Sequence, residues 1–134
     1  MCIRDRYWNQ PKVPHVNEFV AEIEKRTGGR KPTARHWFGF VSTWSCALVA
    51  NQEKSLDAVK LAKALEGFTL PPEVALMPDK IAYRAGDHQL MPNLYVGHAV
   101  DGKGEDLFAV DTVVKGTDVA PSVADTGCVL KWDA

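Results

Sequence analysis

Apolar residues at Val16, Phe19, Val20 and Ile23 take the i, i+3, i+4, i+7 positions that an α-helix brings to one face, while Glu18, Glu22, Glu24, Lys25 and Arg26 fall on the others. This pattern predicts an amphipathic helix, and Gly28-Gly29 supply its left-handed stop. Residues 30–33 read as a loop. Beyond them Trp37, Phe38, Phe40, Val41, Trp44, Cys46, Leu48 and Val49 predict a second helix over residues 35–52 with almost no polar face. Ser55 is the expected N-cap of a third helix, with Asp57 in its first turn, a stripe of Ala58, Leu61, Ala62 and Leu65, and Gly67 at its end. Residues 68–72 form a linker in which Pro71 and Pro72 forbid continuation of that helix.

From Lys80 the period changes. Residues 81–84 and 94–100 read as strands around a turn at Gly86-Asp87, Pro92 marks a break or edge, and residues 107–114 alternate as a further strand after a turn at residues 101–104. No periodicity is visible from Lys115 onward, where no regular element is expected. Helices followed by strands would ordinarily signal an α+β domain. Two or three strands are too few to cover a helix apolar nearly all round, so the chain reads instead as pieces of an α/β protein without a self-sufficient core.

Composition narrows the function. Sixteen basic against seventeen acidic residues leave a formal charge of -1 over 134 residues, which gives no basic surface for nucleic acid or an anionic membrane. No apolar run approaches the roughly 20 residues of a membrane span, so no membrane insertion is expected. Residues 1–6, Met-Cys-Ile-Arg-Asp-Arg, resemble a translated sequencing-adapter scar of metagenomic fragments and are set aside as non-native, leaving 7–134 as a portion of one domain. Cys46, inside the apolar helix, is expected to be a small buried hydrophobe. Cys128 is open to pairing with Cys46 or with a residue outside the chain.

The run Arg84-Ala-Gly-Asp-His-Gln-Leu-Met91, followed by Asn93-Leu-Tyr-Val-Gly-His-Ala-Val100, resembles the late strand-turn-strand of type I periplasmic solute-binding proteins, the branched-chain amino acid (Leu/Ile/Val-binding) group of ABC importers. The first helix with Gly28-Gly29, the aromatic helix around Phe38-Gly-Phe-Val-Ser-Thr-Trp44, residues 56–67 and Thr126-Gly-Cys128 follow in that family's order. The resemblance implies the C-terminal part of a two-lobed α/β fold, with three helices, then several strands, and no complete lobe. It also implies a hinge crossing at Leu90, Met91, Pro92, Asn93 and Leu94, and a small solute, an amino acid or analogue, trapped as the lobes close. Phe40 is the expected ligand-binding wall, with Trp37 and Phe38 as its alternatives; the competing reading makes all three core. The expected setting is periplasmic or extracytoplasmic, with an ABC permease as partner, no cofactor and no catalysis. The groups that hold the solute's charged ends belong to earlier segments of that family, so the isolated chain is expected to bind little.

Two rivals remain at this stage. A receptor or regulator reuses the same two-lobed trap for sensing. A small metal-dependent hydrolase would be built on Asp87 and His88, with His15, His36, His98 and Asp101 as further ligands, although their spacing matches no standard zinc pattern. Against the second, an Asp-His pair in a tight turn ordinarily serves the backbone. Residues 101–106 lack the spacing of a calcium or phosphate loop and read as a solvated turn.

Overall fold

The computed structural model describes residues 2–4, 8–10, 12–102 and 106–132; Met1, Asp5 and Arg6 of the segment set aside as non-native, and residues 103–105 of the predicted turn, lie outside them. Within that segment the backbone of Cys2–Arg4 (β1) forms a short edge strand. Val16–Thr27 (α1) is the predicted amphipathic helix, burying Val16, Phe19 and Val20. It ends as expected, with Gly28 at φ 71° and the N–H groups of Gly28 and Gly29 both donating to the Glu24 carbonyl.

Ala34–Glu53 (α2) is the long helix. Its entry is fixed by Thr33, whose N–H donates to His36 Nδ1 at 3.1 Å. Only Trp37, Val41, Ser45 and Val49 are buried, a single row at intervals of four. Cys46 is exposed, not buried: it lies off that row, on a side that no other described element covers. Cys128 is likewise exposed, and both thiols are free.

Ala58–Ala64 (α3) is shorter than predicted, and its N-cap is Asp57, which accepts from the Lys60 N–H at 2.9 Å. Ser55, the expected cap, instead accepts from the Asp57 N–H and so orients the true cap. Pro72–Ala75 (α4) begins at the last residue of the expected linker. The preceding helix has ended ahead of Pro71 and Pro72 as expected, and Pro72 starts a new one, where its missing N–H at the first helical position costs no hydrogen bond. This turn and its flanks bury Leu70, Val74, Ala75, Leu76, Met77 and Ile81 against α1 and α2.

The strand reading needs one correction of pairing. Residues 81–84 do not pair with residues 94–99. The Tyr83 N–H bonds to the Phe68 carbonyl on one side, and on the other the Arg84 N–H donates to the Gln89 carbonyl while the Met91 N–H reaches the Ala82 carbonyl. The reason is local: the turn closes at once, with the His88 N–H on the Arg84 carbonyl at 2.8 Å, so the first residues after it are those that meet Tyr83. Leu94–Ala99 (β2) lies instead at the centre of a three-stranded antiparallel sheet, between β1 and Phe108–Val114 (β3). A bulge falls at Val96/Gly97, and a Cβ on Gly97 would lie 1.9 Å from the Ala109 carbonyl oxygen, so only glycine fits. Beyond β3, two single-turn helices, Gly116–Val119 (α5) and Val123–Thr126 (α6), occupy a stretch whose sequence shows no period. Trp37, Tyr95, Leu76 and Ile81 are the largest fully buried side chains, so the core joins α2, α4 and the sheet.

Candidate solute-contact site

The three candidate aromatics come from the first turns of α2, where the helical advance of about 100° per residue sends them apart. Trp37 points inward, fully buried, and its indole Nε1 donates to the Ala75 carbonyl at 2.9 Å. It is a core residue that ties α2 to α4. Phe38 and Phe40 are two positions apart and face opposite flanks, so they cannot line one pocket together.

Phe40 is half-buried and packs between Phe19 of α1, with ring centroids 5.2 Å apart, and Trp44 of its own helix at 6.3 Å. These rings and Ile23 floor a cleft of about 570 Å³, whose rim carries Glu22, Arg26, Arg35 and Glu73. An apolar floor beneath charges of both signs suits a small molecule with an apolar body and charged ends. Trp44 follows Phe40 by four residues and was legible as its neighbour. Phe19 was legible only as core.

Phe38 belongs to a second, open cleft of about 350 Å³. Four of the five candidate hinge residues, Leu90, Met91, Pro92 and Leu94, line it together with Val119 and Pro121. Residues 90–94 run extended from the small ladder around Tyr83 into β2. Asn93, 3% exposed, anchors this segment by donating from Nδ2 to the Pro78 carbonyl at 2.9 Å. The wall from α5 and Pro121 gave no signal in the sequence, since it rests on a stretch without period.

Asp87 and His88 serve the turn. Arg84 grips the Asp87 carboxylate with Nε and Nη2, and the same carboxylate accepts from the Gln89 N–H at 3.1 Å. The Arg84 hydrogen bonds, with help from Gln89, hold the Asp87 carboxyl below the usual aspartate range. Arg84 also reaches the Pro121 carbonyl at 2.6 Å and so secures the second cleft. His88 adopts a left-handed backbone, φ 57°. The other histidines lie away from this turn: His15 before α1 and His36 at the start of α2 both line the cleft around Phe40, and His98 lies on Asp111 of β3 at 3.0 Å. Among the described residues no three His, Cys, Asp or Glu side chains converge as metal ligands.

The backbone matches solved structures along most of its length. One is the amino acid ABC transporter substrate-binding protein of Pseudomonas fluorescens Pf-5, at 28% identity and a TM-score of 0.72, covering 92% of this chain and 32% of that one. Another is an ABC-type branched-chain amino acid transporter protein of Rhodopseudomonas palustris CGA009, at 22% identity and a TM-score of 0.70, covering 88% of this chain and 31% of that one. The chain is a partial periplasmic-binding-protein fold. It spans about a third of the length of these two structures. No family model and no curated protein matches the chain. No described helix is long and apolar enough to cross a membrane.

Proposed function

We propose that this chain is the C-terminal part of the substrate-binding component of an ABC importer, which captures an amino acid or related small solute between two lobes outside the cytoplasm and delivers it to a permease. The observation that carries this reading is the match to the Pseudomonas fluorescens protein over 92% of the chain. Phe40, held between Phe19 and Trp44, supplies the apolar wall for the solute's side chain, and residues 90–94 form one crossing of the hinge. Asn93 fits that role, because a crossing segment must be anchored at one end while it bends at the other. Binding is non-catalytic, and Asp87 and His88 take no part in it.

The test uses the polypeptide encoded by the extended reading frame. A matching amino acid at a hundred times its dissociation constant should add about 2.7 kcal/mol of stability, read as a rise in melting temperature. Phe40→Ala should weaken that ligand by about tenfold or more, the effect of losing an apolar pocket wall. If no amino acid or amide raises the melting temperature of the full polypeptide, the proposal fails.

A further inference from the structure

We propose, on the reading that the Phe40 cleft receives the solute, that Arg35 holds the solute's α-carboxylate and Glu73 its α-ammonium. This departs from the family resemblance, which puts those groups in earlier segments. Four charged side chains stand on the rim of the cleft, and they are not equivalent. Glu22 and Arg26 lie one turn apart on α1 and satisfy each other, with Arg26 Nε donating to Glu22 Oε1 at 2.6 Å. That bond and the Arg26 charge hold the Glu22 carboxyl below the usual glutamate range. Arg35 and Glu73 have no side-chain partner among the described residues. Of the two histidines in the cleft, His36 is engaged through Nδ1 with Thr33, and His15 takes the left-handed position ahead of α1.

The two free charges are carried on segments whose spacing the core fixes. Arg35 stands in the first turn of α2 and Glu73 in α4; two residues farther along each, Trp37 Nε1 donates to the Ala75 carbonyl at 2.9 Å. Arg35 and Glu73 therefore line one cleft at a set separation, yet they do not pair with each other. An α-amino acid carries both of its charges on one carbon, so it can bridge a cation and an anion that stand too far apart to meet. Its side chain would then lie on the floor formed by Phe19, Phe40 and Trp44. The guanidinium fork of Arg35 matches a carboxylate, and the Glu73 carboxylate accepts from an ammonium. A simple carboxylic acid would leave Glu73 facing an uncharged end, and a simple amine would leave Arg35 so, which is why the charge pattern favours the zwitterion.

Calorimetric titration of the polypeptide encoded by the extended reading frame tests this, using the amino acid that raises its melting temperature and two smaller analogues. One analogue is the deamino acid, which lacks the ammonium; the other is the decarboxylated amine. Arg35→Gln and Glu73→Gln should each weaken the amino acid by about tenfold or more, the size of a lost charge-assisted hydrogen bond. Glu73→Gln should leave the affinity for the deamino acid unreduced, and Arg35→Gln should do the same for the amine. Both side chains are exposed, so the ligand-free variants should melt with the unsubstituted protein. Undiminished amino-acid binding by both variants, in a protein that Phe40→Ala does weaken, overturns the roles of Arg35 and Glu73 and leaves the substrate-binding reading standing. Equal weakening of the amino acid and the deamino acid by Glu73→Gln overturns them too. If no amino acid binds, that reading and these roles fall together.

Discussion

The inward row of α2 and its flanks are about equally apolar in sequence but differ sharply in the folded chain. Trp37, Val41, Ser45 and Val49 are at most 1% exposed, whereas Phe38 and Trp44 on the flanks are 37% and 46% exposed. The row is covered because α4, Ile81 and Tyr83 reach it; no described element reaches the flanks to the same extent. Apolarity along a helix therefore records how many neighbours it is built to meet, and burial records how many this chain supplies. The contrast agrees with a segment spanning 32% of its neighbour from Pseudomonas fluorescens.

The contrast can be broken by substitution. Trp37→Ala should cost about 3–5 kcal/mol, since it empties the largest buried volume and strips the Ala75 carbonyl of its indole partner. Urea unfolding measures this, and a loss below about 1 kcal/mol would mean that the row is not the core. Tyr83→Phe removes the hydroxyl that donates to Ser45 Oγ at 3.0 Å and should cost about 1 kcal/mol by the same measurement, because Ser45 keeps its own bond to the Val41 carbonyl. On the flank, Trp44→Ser should change stability by no more than about 0.5 kcal/mol and should reduce self-association in light scattering. A loss comparable to that of Trp37→Ala would show that the flank is covered in solution and would erase the distinction.

Much of the fold was legible locally. The stripe of α1 and its Gly28-Gly29 stop, the extent of α2, and the spans of β2 and β3 all follow from periodicity and turn chemistry within a few residues. Errors fell where a residue had two plausible local roles. Asp57 rather than Ser55 caps α3; Pro71 and Pro72 do follow the end of that helix as expected, but Pro72 also opens α4, which was not foreseen. For the candidate site, the sequence could place Phe38 and Phe40 on opposite flanks, but it could not say that Trp37 turns inward or that α5 and Pro121 wall the cleft beside residues 90–94.

The sequence by itself determined the longer helices and the strands β2 and β3, because propensity, period and caps act between residues close in the chain, while the single-turn helices α4, α5 and α6 left no period to read. It also carried the order of motifs by which the chain resembles a solute-binding protein. Tertiary structure alone decided that residues 81–84 pair with residues 68–70 and 89–91 and that Cys46 faces outward; it also joined Trp132 to Glu66 across 66 positions. These outcomes depend on which distant surfaces arrive at a given face, and a side chain's own pattern does not encode the partner that will cover it.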